Sequence, residues 1–169
     1  MARCLIIGCG CRGRLLASEL IARGHAVRGT TRDRQRASEI EAVGAEPVVG
    51  DPNMIATLAG ALEHVAVACI LLGSAAGMPE QLSALHGSRL DMLLTRMVDT
   101  TVRGVVYEAA GSVAPDVLRG GAARVRTRCE DSRIPFVLLQ ANPREHRAWG
   151  AEAVGAVERA LDGGPVGPR

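Results

Sequence analysis

The stretch of sequence that decides the fold is Cys4-Leu5-Ile6-Ile7-Gly8-Cys9-Gly10-Cys11-Arg12-Gly13. Its first half is apolar, as in a buried strand, and its second half has the G-x-G-x-x-G spacing. In such a turn Gly8 allows a sharp bend, Gly10 lets the backbone approach a ligand, and Gly13 lets a helix pack on the strand. Free amide groups at the start of that helix favour phosphate groups. The stretch therefore predicts a site for the diphosphate of a dinucleotide.

The residues that follow this turn support the same interpretation. The chain has 20 glycines in 169 residues, so chance matches to the spacing are common and the flanking sequence has to decide. Leu16 and Leu20 recur at helical spacing, Gly24 is suited to the end of a helix, and a second strand pattern begins at Ala26. The alternative is a tight strand-to-helix turn that binds no ligand.

Apolar segments alternate with helical patterns along the whole chain, which predicts an α/β protein with a parallel sheet. Strands are expected at 2–8, 26–31, 46–49, 64–72, 104–109 and 135–140, and helices at 12–23, 34–43, 53–60, 79–98, 115–132 and 144–161. This pattern predicts a doubly wound Rossmann sheet of order 3-2-1-4-5-6. We expect one domain over residues 1–161 and a flexible tail over 162–169, which holds three glycines and two prolines.

The composition excludes several classes of function. The chain has 20 arginines and no lysine, which excludes Walker-type phosphate loops and Schiff-base enzymes because both need a lysine. Its three aromatic residues, Tyr107, Phe136 and Trp149, leave little surface on which nucleic-acid bases could stack. Acidic residues interrupt the arginines of the expected helix 115–132, and the formal net charge is only +2. No nucleic-acid partner is therefore expected.

The five cysteines lack the spacing of a metal site, and the sequence shows no signal peptide or membrane span. We therefore expect a cytoplasmic protein with no metal and no membrane partner. Cys9 and Cys11 allow two interpretations, either a redox pair at a helix start or two small side chains in a crowded turn. A bound diphosphate would raise the pKa of the thiols, which favours the second interpretation.

The end of the second strand, Thr30-Thr31-Arg32-Asp33, bears on the choice between NAD and NADP. An NAD site needs a carboxylate here for the ribose 2′-hydroxyl, whereas an NADP site needs a guanidinium for the 2′-phosphate. Asp33 directly precedes a helical pattern, where it is expected to cap the helix. Arg32 then remains at the strand tip, which favours NADP and leaves NAD as the alternative.

Three further loops are expected to meet the cofactor. Asp51 precedes Pro52, and it is expected to cap a helix or to lie near the adenine. Small residues after the fourth strand would let the middle of the cofactor lie close to the backbone, and the end of the fifth strand would face the nicotinamide. The predicted cofactor-binding residues are Gly8, Cys9, Gly10, Cys11, Arg12, Gly13, Thr30, Thr31, Arg32, Asp51, Leu72, Gly73 and Ala110.

Four segments, at 8–13, 23–32, 49–51 and 134–139, together resemble the atypical short-chain dehydrogenase/reductase group of NAD(P)-binding proteins. That group is related to epimerase/dehydratases and to NmrA-like regulators. The resemblance implies that residues 8–13 bind the diphosphate, that Arg32 binds the 2′-phosphate and that adenine lies near Asp51. It covers nearly the whole chain at the level of the fold.

The chain departs from the catalytic members of that wider family. They use a Tyr-x-x-x-Lys pair, in which the ammonium group lowers the pKa of the tyrosine. Here the one tyrosine, Tyr107, falls inside the fifth expected strand, and arginine stays charged and cannot relay a proton. The usual alcohol or ketone chemistry of the family is therefore not expected.

Two functions remain open. The first is a reductase that passes hydride from NADPH directly to a conjugated acceptor such as a flavin or quinone. Its candidate catalytic residues are Ser112, Glu108 and His86, each of which also has an ordinary structural interpretation as a cap, a strand-end charge or a polar helix residue. The second is a non-enzymatic NADP(H)-sensing module that binds a protein partner. The apolar residues of the expected helix 80–98 are a candidate homodimer surface, or else ordinary core.

Overall fold

The computed structural model describes residues 1–163, which form a six-stranded sheet of order β3-β2-β1-β4-β5-β6. All five pairs of neighbouring strands are parallel. The strands are β1 (Arg3–Ile7), β2 (Ala26–Thr31), β3 (Glu46–Val49), β4 (Val67–Ile70), β5 (Val105–Glu108) and β6 (Phe136–Leu139). The predicted Rossmann order is confirmed. Most of the expected tail, at 164–169, lies outside the described residues, so the tail and the domain boundary stay predictions.

Helices cover both faces of the sheet. They are α1 (Cys11–Ala22), α2 (Ala37–Ala42), α3 (Pro79–Leu85), α4 (Ser88–Val98), α5 (Pro115–Ser132) and α6 (His146–Leu161), with 3-10 helices at Arg34–Arg36, Ile55–Leu58 and Gly60–Leu62. One face packs against α1, α2 and α6, and the other against α3, α4, α5 and the last two 3-10 helices. Both cores are almost entirely aliphatic, as the composition requires.

The expected helix 79–98 is in fact two helices. The first ends at Leu85, with His86 as its C-cap, and Gly87 is the N-cap of the second. Any side chain at Gly87 would place its Cβ 2.6 Å from the carbonyl oxygen of Ser83, so the break needs a glycine. The prediction of one continuous helix was therefore wrong, and so was the α-helix expected at 53–60, which consists of 3-10 turns.

The sequence offered the apolar residues of α3 and α4 as a homodimer surface, and most of them lie inside the chain. These side chains are buried or half-buried inside the chain: Leu82, Leu85, Leu90, Leu93, Leu94 and Met97. Met92 and Val98 are the large apolar residues of this region that remain exposed. The burial of these side chains favours the ordinary core interpretation of the stripe, and a homodimer stays a prediction.

The turn after β1 is built on close backbone contacts. Gly8 has φ +82°, and a Cβ there would lie 2.6 Å from the carbonyl oxygen of Leu71 at the end of β4. A Cβ on Gly13 would lie 3.2 Å from both the Gly8 carbonyl oxygen and the Ile6 side chain. These contacts bring the start of α1 down onto the carboxyl edge of the sheet, as the glycine spacing predicted.

We predict that Gly8→Ala destabilises the fold whereas Gly10→Ala does not. The first change combines a left-handed backbone with a steric clash, which should cost about 2–4 kcal/mol of unfolding free energy. The second places its Cβ where no atom lies within 4 Å, so it should cost less than about 1 kcal/mol. Urea unfolding of both variants measures this difference, and equal losses would contradict the assigned turn.

Candidate nucleotide-binding site

A cavity of about 820 Å³ opens at the carboxyl edge of the sheet. Its wall is formed by the turn after β1, the ends of β2, β3 and β4, and one side of α3 with the start of α4. Most of the predicted cofactor-binding residues line it: Gly8, Cys9, Gly10, Cys11, Arg12, Gly13, Thr30, Thr31, Arg32, Asp51 and Leu72. The predicted residues Gly73 and Ala110 do not line the cavity. The loops after β4 and β5 are in contact at these two residues, since a Cβ on Gly73 would lie 2.3 Å from the Ala110 carbonyl oxygen.

Hydrogen bonds to β2 fix the phosphate-binding turn. The amide of Gly8 donates to the hydroxyl of Thr30 at 3.1 Å, and the amide of Cys9 donates to the Thr30 carbonyl at 2.9 Å. Gly10 then caps α1, whose first-turn amides lie on the cavity wall and have no partner within the helix. The space beyond Gly10 is open, so an anion can approach these amides.

The two threonines of β2 have structural contacts that the sequence did not predict. The hydroxyl of Thr30 is occupied by Gly8, and the residue is only 1% exposed. The hydroxyl of Thr31 bonds to the backbone of Asp33, as donor to its carbonyl and acceptor from its amide. Both side chains shape the turn, although both residues line the cavity.

Two arginines face the cavity at the tip of β2. Asp33 accepts the amide of Gln35 at 2.8 Å, so it caps the 3-10 helix as the sequence suggested. Arg32 and Arg36 both line the cavity, whereas Arg34, between them, does not. Arg36 was not among the predicted site residues, although its position four residues after Arg32 was a signal that could have found it.

Asp51 lies at a tight turn after β3 and caps no α-helix. Its carboxylate accepts the backbone amide of Asn53 at 2.9 Å and the side-chain amide at 3.2 Å. The hydroxyl of Thr57 accepts the amide of Asp51 at 2.8 Å. Asp51 and Asn53 form the cavity wall beside the tip of β2.

At the end of β5, Glu108 is fully buried in a polar cluster. Its Oε1 accepts the amide of Gly73 at 2.9 Å and Nη2 of Arg12 at 3.1 Å. Its Oε2 accepts Nε1 of Trp149 at 3.1 Å and the same Arg12 nitrogen at 3.3 Å. Arg12 therefore reaches away from its own turn. This pairing could not be predicted from local sequence patterns, because Arg12 and Glu108 are far apart in the chain.

His86 and Tyr107 form a second buried polar pair. Nε2 of His86 lies 3.0 Å from the Leu72 carbonyl, which can only accept, so this nitrogen carries the proton. The other ring nitrogen then accepts the Tyr107 hydroxyl at 2.6 Å. Burial lowers the pKa of His86 and raises that of Tyr107, so both groups stay neutral near pH 7.

None of the three catalytic candidates lines the cavity. Glu108 and His86 are buried and bonded as described, and Ser112 is exposed, with its amide donating to the Ser74 hydroxyl at 3.3 Å. Of the two neighbouring thiols, Cys11 is exposed, while burial raises the pKa of Cys9 to about 11. The structure thus favours small packing side chains over a redox pair.

No group of three or more His, Cys, Asp or Glu residues in the described part of the chain is arranged to hold a metal ion. No helix within residues 1–163 is long and apolar enough to span a membrane.

The sequence profile of the NAD(P)H-binding protein family matches residues 8–123. Because this match covers more than half of the chain, the protein belongs to that family, in agreement with the resemblance to atypical short-chain dehydrogenase/reductases. The chain is thus an NAD(P)H-binding protein with a Rossmann fold. No curated protein matches the chain.

Solved structures share the fold at low sequence identity. A short-chain dehydrogenase/reductase superfamily protein from Agrobacterium tumefaciens with bound NAD has a TM-score of 0.68 and 19% identity, over 82% of this chain and 48% of that one. The Citrobacter sp. triphenylmethane reductase complexed with NADP(H) has a TM-score of 0.63 and 21% sequence identity, over 82% of this chain and 48% of that one. UDP-glucuronic acid 4-epimerase from Bacillus cereus in complex with NAD has a TM-score of 0.66 and 14% sequence identity, over 97% of this chain and 64% of that one. The chain spans about half the length of the first two.

The depressed pKa of His86 predicts a loss of stability in mild acid. Below about pH 6.5 the unfolded chain takes up a proton on this histidine that the folded chain resists, so stability falls as the pH falls. The slope from this group is at most about 1.4 kcal/mol per pH unit. Urea unfolding between about pH 7 and pH 5 should show a smaller slope for His86→Gln.

The exposed His146 provides the control, because His146→Gln should keep the wild-type slope. An unchanged slope in His86→Gln would show that the buried ring is not the titrating group.

Proposed function

We propose that this chain binds NADP(H) and supports hydride transfer directly to a conjugated acceptor, such as a flavin or quinone, without a protein proton donor. The observation that carries the cofactor assignment is the pair of guanidinium groups, Arg32 and Arg36, on the cavity wall at the tip of β2.

The charges at the tip of β2 support NADP over NAD. Within residues 1–163, neither Arg32 nor Arg36 forms an ion pair, so both guanidinium groups are free for a ligand. The nearest carboxylate in the sequence, Asp33, already accepts the amide of Gln35. The 2′-phosphate of NADP would therefore meet two cations at this position. The 2′-hydroxyl of NAD would instead need a carboxylate that is free to accept it.

The surroundings of the titratable groups support a reaction without a protein acid. The Tyr107 hydroxyl donates to His86 inside the core, and Glu108 accepts four contacts below 3.4 Å. Bound NADPH would supply the hydride, and the proton that a reduced flavin or quinone also takes up would come from water. The structural neighbour from Citrobacter sp. is named for a triphenylmethane acceptor, which is a conjugated system.

A second candidate is an NADP(H)-sensing module that acts through a protein partner. One observation favours it: in the described part of the chain, no cavity-lining residue comes from the loops after β5 and β6. In the doubly wound fold those loops belong to the nicotinamide half of the site. A chain that only reports the cofactor needs no enclosed acceptor site there.

We predict that Arg32→Ala and Arg36→Ala each weaken NADPH binding by about 1.5–3 kcal/mol, or roughly 10- to 150-fold, and leave NADH binding nearly unchanged. Arg34→Ala is the matched control, because Arg34 lies on the 3-10 helix that also contains Arg36 and does not line the cavity. Isothermal titration calorimetry with both cofactors measures the difference. Equal losses for NADPH and NADH would reject the NADP assignment.

We also predict that the wild-type chain oxidises NADPH in the presence of flavins, quinones or triphenylmethane dyes, and that Ser112→Ala keeps this rate because Ser112 lies outside the cavity wall. The absorbance of the reduced nicotinamide follows the reaction. A loss of about 10²-fold or more in Ser112→Ala would indicate acid catalysis and contradict the proposal. Tight NADPH binding with no turnover on any acceptor would favour the sensing module.

A further inference from the structure

The fully buried carboxylate of Glu108 joins four elements at the carboxyl edge of the sheet. From its place at the end of β5 it contacts Arg12 of α1, Gly73 of the loop after β4, and Trp149 of α6. A buried ion pair contributes little more net stability than apolar side chains of similar size. The fold therefore does not by itself require a carboxylate here.

The guanidinium of Arg12 is only partly satisfied by this cluster. Its Nη2 bonds to both oxygens of Glu108, and its central carbon lies 5.5 Å from the ring centre of Trp149. Its buried Nε has no hydrogen-bond partner. The side chain is 23% exposed and lines the cavity, so it offers an anchored cation with unused donors to a ligand there.

The direction of Arg12 identifies the part of the ligand that it would meet. Arg12 belongs to the first turn of α1, whose amides are placed for a diphosphate. Its side chain extends from that turn toward β5, away from the two arginines at the tip of β2. In a doubly wound sheet the second mononucleotide lies over the β4–β6 half. Arg12 thus stands on the nicotinamide side of the diphosphate.

The geometry points to Glu108 as a positioning residue that holds the Arg12 guanidinium ready for the nicotinamide-side phosphate and ribose of the cofactor. This inference rests on the proposed NADP(H) binding and adds how the second half of the dinucleotide is recognised. An arginine free in solvent would lose side-chain entropy on binding a phosphate, whereas one already fixed by a carboxylate loses less. Glu108 acts through Arg12 and does not touch the cofactor.

The test compares two ligands that differ in the half of the molecule concerned. NADP⁺ contains both halves, whereas adenosine 2′,5′-bisphosphate carries the 2′-phosphate and only the adenosine-side phosphate. For Glu108→Gln we expect the Kd of NADP⁺ to rise about 10- to 100-fold by calorimetry, with less than about a twofold change for the bisphosphate. Glu46→Gln is the matched control, because it removes the carboxylate from the Arg28–Glu46 pair away from the cavity.

A double variant keeps the test decisive if Glu108→Gln does not fold. Arg12→Met with Glu108→Gln replaces the buried pair by neutral groups of similar size, and it should show the same selective loss of NADP⁺ binding. Similar losses for both ligands would assign Glu108 a structural role only, which would overturn the inference. Unchanged binding of NADP⁺ would also overturn it. Failure of the wild-type chain to bind either ligand would instead contradict the proposed function itself.

Tryptophan fluorescence gives a second readout that a structural role would not affect. Trp149 is the only tryptophan of the chain, and it donates to Glu108. NADP⁺ should change its emission in the wild-type chain, and adenosine 2′,5′-bisphosphate should not. Equal changes with both ligands would mean that the cluster does not sense the nicotinamide half.

Discussion

The structure depends on the way in which β2 holds the turn after β1. Thr30 accepts the amide of Gly8 with its hydroxyl and the amide of Cys9 with its carbonyl, at 3.1 and 2.9 Å. With these two amides bound to the sheet, the chain enters α1 at the cavity wall, and the next amides are left without partners. The cavity wall therefore carries partial positive charge at the start of α1, which favours a diphosphate there.

The charged side chains around this turn are organised in two different ways. At the tip of β2, Arg32 and Arg36 face the cavity without carboxylate partners in the described chain. On the other side, Arg12 is anchored by the buried Glu108. The unpaired guanidinium groups of Arg32 and Arg36 suit the doubly charged 2′-phosphate. The anchored guanidinium of Arg12 suits the nicotinamide-side phosphate and ribose, whose position matters more than their charge. The aliphatic sheet fixes both arrangements, because parallel strands bring their carboxyl ends to one edge.

The fold could be predicted from sequence because its signals are local. Strand order, the glycine turn and the cap at Asp33 follow from spacing and from residue type. The break at Gly87 was missed, since an apolar stripe continues across it and the close approach of Ser83 is visible only in three dimensions. The clusters around Glu108 and Tyr107 were also missed, because they join residues that are distant in sequence. Local patterns indicate which residues surround a site, and only the folded chain shows which of them are already bonded.

The central claim is that the first turn of α1 receives the diphosphate of a nicotinamide cofactor. Titration of ¹⁵N-labelled protein with NADP⁺, followed by two-dimensional NMR, observes those amides directly. The account predicts that the largest shifts occur at the amides of Cys11, Arg12 and Gly13, while the Gly8 and Cys9 amides, already bonded to Thr30, move less. Saturating NADP⁺ that leaves these three signals in place, or that shifts another face of the protein, would contradict it.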